Sequence, residues 1–222
     1  MIHQHTHAEN AQIEQLRCTL KKNHAQIQVK DLGAGSKKNN SNSRKISTIV
    51  ASAAMPKKQG QLISRLVQSY ELKNILELGT SLGIGTAYLT GNQSDIRVTT
   101  IEGCPTIAAY AKKHFEQLDL QNVVVKVGDF EHVWEALELQ NFDLIYIDGN
   151  HRKEPTLRYF ERALDQISAK GFIVVDDIYW SREMKAAWEE MKSNPQLNVS
   201  MDFFRFGILT RWPGESKQNF IL

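Results

Sequence analysis

In NILELGTSLGIGTAYLT, from Asn74 to Thr90, an apolar run, a glycine-rich turn and the start of a helix lie end to end. NILEL suits a strand buried in a parallel sheet. IGTAYLT can open a helix whose first amides and dipole face a ligand. A second strand candidate, VTTIE, ends at Glu102, 23 positions after Gly79. At that distance a carboxylate is expected to accept hydrogen bonds from the ribose hydroxyls of a nucleotide-type cofactor.

A second glycine-rich turn competes for that role. QIQVKDLGAGS, from Gln26, looks alike, but the polar stretch KKNNSNSRK follows it, without helical periodicity. No second strand is expected there. Residues 31–43 therefore read as an exposed, flexible loop, and the cofactor turn is assigned to Gly79–Gly85.

Downstream the chain alternates strand and helix. NVVVKV, FDLIYID and GFIVVDD are apolar strand candidates, each ending in an acidic or glycine-containing turn. Pro105 is expected to begin a helix burying Ile107, Ala108, Ala111, Phe115 and Leu118. Pro155 is expected to begin another, burying Leu157, Phe160, Leu164 and Ile167. Ser181 reads as the N-cap of a helix burying Met184, Ala187, Trp188 and Met191. NVSMDFFRFGILT suggests an antiparallel pair at a sheet edge. Upstream, Ser43 is expected to cap a helix with Ile46, Ile49, Val50 and Ala53 on one face, ended by Pro56. A further helix carries Leu62, Ile63, Leu66, Val67 and Tyr70. The expected class is α/β: a Rossmann-like doubly wound sheet, mostly parallel, with an antiparallel C-terminal edge hairpin and appended N-terminal helices.

With 222 residues the chain has room for one domain of that kind plus appended helices. No apolar stretch approaches a membrane span, and MIHQHTHAEN has no apolar signal core, so no membrane association and a cytoplasmic location are expected. Cys18 and Cys104 form neither a zinc-ligand spacing nor a disulfide framework. His3, His5 and His7 resemble a ligand cluster but lie on a terminal segment and receive no role. Net charge is +2, yet from Gln15 to Tyr70 eleven lysines and arginines face only Asp31, a local +10 that leaves −8 elsewhere.

Glycine spacing narrows the cofactor. Dinucleotide dehydrogenases use G-x-G-x-x-G, whereas here the order is Gly79, Gly83, Gly85, with Glu77 inside the strand end. A carboxylate there is poorly placed for a pyrophosphate and suits a cofactor carrying an ammonium and a sulfonium. The phosphate-binding G-x-x-x-x-G-K-[ST] pattern does not occur.

LELGTSLGIGT resembles the first motif of the class I S-adenosylmethionine-dependent methyltransferases, notably the catechol O-methyltransferase-like branch, which reads E-[LIV]-G-x-x-x-G-x-[ST]. The likeness continues in order through TIEGCP, VGDF, FDLIYIDGNH and GFIVVDDI. It covers residues 72–211 and leaves the basic N-terminal third outside. It implies a methyltransferase domain over 71–222, preceded over 1–70 by a basic helical extension. It also implies S-adenosylmethionine as cofactor, with its methionine part against Glu77, Gly79, Ser81 and Gly83. Glu102, followed by Gly103, would hold the ribose, while Asp129 accepts from the adenine amino group and Phe130 packs on the ring. The alternative for Asp129 is a surface turn.

The chemistry is expected at the carboxyl ends of the next two strands, where Asp148 and the pair Asp176–Asp177 stand. Three converging carboxylates would repel one another without a cation, and such oxygen ligands suit Mg²⁺, Mn²⁺ or Ca²⁺. A cation there would lower the pKa of an acceptor hydroxyl and fix it in line with the methyl group. The resembling branch is cation-dependent in this way, but it carries Asp-Asn where this chain has Asp-Asp. The alternative is that both aspartates merely end a strand. His151 falls where catechol-like enzymes have a catalytic lysine and where related methyltransferases reading D-G-x-H have histidine. A neutral imidazole there can take the acceptor's proton, or His151 is a surface residue.

DGNH lacks the [DN]-P-P-[YFW] pattern of exocyclic-amine methyltransferases acting on nucleic acids. The expected acceptor is a small hydroxylated molecule, anionic if the loop lysines with Arg44 and Lys45 face it; a homodimer is compatible with this reading. Alternatives are an RNA methyltransferase using the basic segment, a metal-independent small-molecule enzyme, or a binding module without activity.

Overall fold

The computed structural model of the chain describes residues 2–29, 43–91, 93–137, 141–214 and 216–222, with side chains from residue 10 onward. Its elements are α1 (Ile2–Lys21), β1 (Gln26–Gln28), β2 (Ser43–Lys45), α2 (Ile46–Ala53), α3 (Lys57–Ser69), β3 (Asn74–Leu78), α4 (Ile84–Thr90), β4 (Arg97–Glu102), α5 (Pro105–Gln117), β5 (Val123–Val127), α6 (Phe130–Glu135), β6 (Phe142–Ile147), α7 (Lys153–Gln166), β7 (Ile167–Asp176), α8 (Arg182–Ser193), β8 (Val199–Asp202), β9 (Phe206–Thr210) and β10 (Gln218–Ile221).

The apolar runs assemble as one eight-stranded sheet in the order β10-β8-β9-β7-β6-β3-β4-β5. Strands β3 to β7 run parallel, and β9 lies antiparallel to both β7 and β8. The expected hairpin is therefore present, but the sheet continues one strand further, because β10 pairs parallel with β8. From β3 the chain crosses outward to β4 and β5, then returns to place β6 on the other side of β3. That reversal opens a crevice at the carboxyl ends of β3 and β6.

Residue alternation decides what faces that crevice. Ile75, Leu144, Tyr146, Phe172 and Val174 join a core shared with Ile13, Leu16, Ile46, Ile63 and Tyr88 from the N-terminal helices and α4. Leu76, Leu78, Ile145, Ile147, Ile173 and Val175 pack on the opposite face with Trp134, Phe160, Trp188 and Met191. By the two-residue period, Glu77 and Asp176 follow Ile75 and Val174 onto the N-terminal-helix face.

Several local expectations change. Ser43 does not cap α2: it lies in β2, its hydroxyl donating to Gln26 Oε1 at 3.2 Å, and Lys45 occupies the N-cap without a side-chain bond. A strand does follow the first glycine turn, but β2 is three residues long and only closes an antiparallel ribbon with β1. Positions 31–42 of the expected loop, Lys37 and Lys38 included, lie outside the described residues, as do the side chains of His3, His5 and His7. Helix α7 starts two residues before Pro155, and Ile167 belongs to β7. Ser181 does cap α8, its hydroxyl accepting from Met184 N at 3.1 Å. No helix among the described residues is long and apolar enough to cross a membrane.

Candidate active site

The turn after β3 is shaped by what it touches. Gly79 has φ +103°, and a Cβ there would lie 1.8 Å from the Asp148 carbonyl oxygen, so only glycine lets the turn approach the end of β6. Asp148 N donates to Leu78 O at 2.9 Å, closing the same junction. Ser81 holds φ +48°, and its amide donates to Glu102 Oε2 at 2.9 Å, while Cys104 N donates to Oε1 at 2.9 Å. Two backbone donors thus fix Glu102 at the rim. Its carboxylate keeps further acceptor capacity. Gly103 forms the bend between them, and Gly83 caps α4 in the left-handed region.

Glu77 lies beneath this turn and is 2% exposed. Oε2 accepts from Thr86 Oγ1 at 2.5 Å and from Thr100 Oγ1 at 2.6 Å. Burial pushes its carboxyl up to about 7, against the two hydroxyls, which favour the charged form; the Glu102 charge adds a smaller upward push. Oε1 lies 3.2 Å from where a Gly85 Cβ would stand, so glycine leaves that oxygen uncovered. Val50, Ala53, Ala54 and Met55 roof the space above Glu77, Gly79, Ser81 and Asp148. That space holds about 10 Å³, room for about one water molecule.

Asp129 and Phe130 lie on the far side. Asp129 caps α6, with Oδ1 accepting from Glu131 N at 3.0 Å and His132 N at 3.3 Å. The Phe130 ring packs on Gly149, where a Cβ would lie 2.4 Å from it, and meets Tyr159 edge-on at 5.9 Å between centroids.

Beyond Asp148, the ends of β6 and β7 gather acids, a histidine and an arginine. His151 Nε2 stands 3.9 Å from Asp148 Oδ1 and 3.8 Å from Asp177 Oδ2, the three side chains being 26, 23 and 19% exposed. Arg205 approaches from the β8–β9 turn, Nη2 lying 3.7 Å from Asp177 Oδ1 and Nε 4.0 Å from Asp176 Oδ1. Asn150, His151 and Asp177 all have positive φ, at 66°, 25° and 51°. With Ser81, they are four of the seven non-glycine residues so strained among those described, and such strain concentrates at functional sites. Burial, then repulsion from Asp176, Asp177 and Glu77, holds the Asp148 carboxyl well above the usual carboxylate range, with Arg205 acting in the opposite sense.

The expected cation ligands do not form a cage. Among the described residues, no group of three or more His, Cys, Asp or Glu side chains could hold a metal ion. Asp176 is 3% exposed, and both its oxygens are engaged. Oδ1 accepts from Gln59 Nε2 at 3.1 Å and Asp177 N at 2.9 Å, and Oδ2 from the Tyr146 hydroxyl at 3.2 Å. Asp148, Asp176 and Asp177, expected as joint ligands of Mg²⁺, Mn²⁺ or Ca²⁺, are thus not arranged as a cation cage among the described residues. Asp176 is spent on neutral donors, and a guanidinium already stands beside the pair.

Gln59, Tyr146 and Arg205 were not singled out from sequence. Tyr146 carries a signal, a polar-tipped residue inside the apolar run FDLIYI. Gln59, from α3, donates Nε2 to the Tyr146 hydroxyl at 2.7 Å, a contact 87 positions apart that no local pattern announces. Its Oε1 is buried without a hydrogen-bond partner. Trp180, 53% exposed, flanks His151 at 6.1 Å between ring centroids.

Comparison with known proteins accords with this geometry. Residues 76–178 match the family model of a methyltransferase domain. A catechol O-methyltransferase of Niastella koreensis is 33% identical over 138 residues, 58% of this chain and 61% of that protein. A protein-L-isoaspartate O-methyltransferase of Petrotoga mobilis is 34% identical over 131 residues, 54% of this chain and 57% of that protein. The chain therefore spans less than two thirds of the length of these two relatives. It spans 73% of a Vibrio campbellii protein-L-isoaspartate O-methyltransferase, 37% identical over 162 residues and 69% of this chain. The O-methyltransferase of Bacillus cereus in complex with SAH superposes with a TM-score of 0.63 at 24% identity, covering 72% of this chain and 84% of that one, a likeness of fold. With the glycine turn, the strand order and these matches together, the chain belongs to the class I S-adenosylmethionine-dependent methyltransferases.

Proposed function

We propose that the chain transfers the methyl group of S-adenosylmethionine to a hydroxyl of a small acceptor, with His151 as the base. The observation that carries this reading is the junction at Gly79. It brings the cofactor turn against the Asp148 carbonyl, three residues from His151. Glu77 then faces the cofactor's positive methionine end and Glu102 its ribose. Phe130 offers a ring to the adenine, and Asp129, while capping α6, keeps Oδ2 for the amino group. His151 Nε2 takes the acceptor's proton, and Asp148 and Asp177, on either side of it, stabilise the imidazolium that forms.

The name of the Niastella relative supports a hydroxylated aromatic acceptor. The isoaspartate relatives suggest a carboxylate acceptor, but three aspartates around one arginine and one histidine disfavour an incoming anion. The same acid excess favours a neutral acceptor over the anionic one suggested by Arg44, Lys45 and the loop lysines. The described residues of the segment 1–70 serve as a cover that folds onto the domain of 71–222.

Calorimetry tests the cofactor assignment. S-adenosylmethionine binds, and Glu102→Ala weakens binding by about 1–3 kcal/mol through lost charged hydrogen bonds. Unchanged affinity removes Glu102 from the ribose, and preferential binding of NAD overturns the reading.

A further inference from the structure

We propose that the Arg205 guanidinium supplies the positive charge that steadies the acceptor oxygen during transfer, the role a divalent cation was expected to fill. The inference rests on the methyl-transfer reading above and adds a group outside it. Among the described residues, Arg205 is the cation standing against Asp176 and Asp177, and the His151 imidazole stands on the other side of Asp177. The Asp177 carboxylate lies between them, Oδ1 toward the guanidinium at 3.7 Å and Oδ2 toward the imidazole at 3.8 Å. A hydroxyl lodged beside Asp177 therefore meets a proton acceptor on one side and a permanent cation on the other.

The turn that carries Arg205 is held by backbone bonds. Arg205 N donates to Phe203 O at 2.7 Å, and Arg205 O accepts from Ile178 N at 3.1 Å, one residue past Asp177. Phe204, at φ +64°, donates its amide to Asp202 Oδ1 at 2.8 Å and completes the tight turn. At 3.7 and 4.0 Å the contacts of Arg205 with the aspartates are too long for direct hydrogen bonds. Its N–H donors thus stay available to a ligand, and its side chain is 45% exposed. A guanidinium beside the acceptor oxygen stabilises the negative charge that develops there.

The step balances without a metal. The acceptor's proton passes to His151 Nε2, and an oxygen lone pair forms the new O–C bond. The C–S bond breaks with its electron pair passing to sulfur, which leaves as the thioether of S-adenosylhomocysteine. The imidazolium returns its proton to water, and Arg205 is unchanged.

Two measurements on the full chain saturated with S-adenosylhomocysteine decide the matter. In an electron paramagnetic resonance titration the native chain takes up Mn²⁺ no more tightly than about 1 mM. Arg205→Ala leaves the carboxylates uncompensated and tightens Mn²⁺ binding about tenfold or more, a gain that Asp177→Asn in the same background removes. Micromolar Mn²⁺ binding by the native chain, or indifference of Arg205→Ala, overturns the proposal. Added 4-nitrocatechol reports the oxygen itself, since its phenolate absorbs visible light. Its ionisation moves to lower pH on the native chain and stays at the solution value with Arg205→Gln; equal behaviour of the two proteins also overturns it. Loss of S-adenosylhomocysteine binding in the native chain would instead sink the methyltransferase reading, which separates the two failures.

Discussion

Glu77 is held near the edge of ionisation by its burial, and the consequence is a pH dependence with a definite sign. Its folded value of about 7 lies above the ordinary 4.5, so between these values the folded chain keeps a proton that the unfolded chain has lost. The stability tied to that proton is complete below about 4.5 and is lost as pH rises through about 7, a change of roughly 3 kcal/mol at most. Glu77→Gln should remove it. Denaturant unfolding of the native chain and the variant at about pH 5 and about pH 8 measures the difference, and an equal gap at both pH values rules out Glu77 as the titrating group. A cofactor with a sulfonium and an ammonium favours the ionised carboxylate, so its binding should release a proton and strengthen as pH rises toward 8. Calorimetry in two buffers of different ionisation enthalpy counts that proton. His151 offers the companion test. If it is the base, His151→Ala lowers kcat by about 10²–10⁴-fold while cofactor affinity holds, whereas a loss under about threefold makes it a bystander.

At the scale of elements, what could be read from the sequence was whatever a local pattern dictates. The central strands were legible because a strand covered on both faces must be apolar throughout, as in FDLIYI and GFIVVD. Glu77, Gly79 and Glu102 were legible because one βαβ unit fixes their spacing. β10 was not, since QNFI pairs only with β8 and its sequence carries no signal of that partner. α6 was not, because its six residues depend on the Asp129 cap rather than on an apolar stripe. The cluster of Gln59, Tyr146 and Asp176 was beyond reach, as it depends on α3 docking across two strands. Element geometry also yields a prediction. The end of α2 and the residues to Met55 roof a space of about 10 Å³, far too small for a cofactor's methionine tail. Ile46, Ile49 and Val50 of this helix are buried, but its last residues, 51–53, are exposed, so fraying of that end costs little. Hydrogen exchange at amides 50–55 should therefore be fast in the free chain and slow about tenfold or more with S-adenosylhomocysteine bound. Protection confined to the turn at 77–85 would show that the roof takes no part.

For the whole molecule, the question is whether the basic N-terminal third is an appendage or part of the fold. Charge suggests an appendage, since the +10 carried between Gln15 and Tyr70 contrasts with the acidic remainder. Packing argues the other way. Leu16 and Leu20 of α1 are 2 and 4% exposed and share one core with Tyr88 of α4 and Tyr146 of β6. The Tyr88 hydroxyl donates to Glu14 Oε1 at 2.8 Å, and Arg17 Nε donates to the same oxygen at 2.9 Å, tying α1 to the helix that follows the cofactor turn. A segment that shares its core with the central sheet should unfold with it in one transition. Leu16→Ala then leaves a cavity in the common core and costs about 2–5 kcal/mol of global stability. Fluorescence of Trp134 and Trp188, buried on the far face of the sheet, reads that loss from a distance. The midpoint of their transition should shift together with far-ultraviolet circular dichroism of the helices. Were residues 1–70 a separable extension, Leu16→Ala would split the circular dichroism transition and leave the tryptophan midpoint where it stands in the native chain.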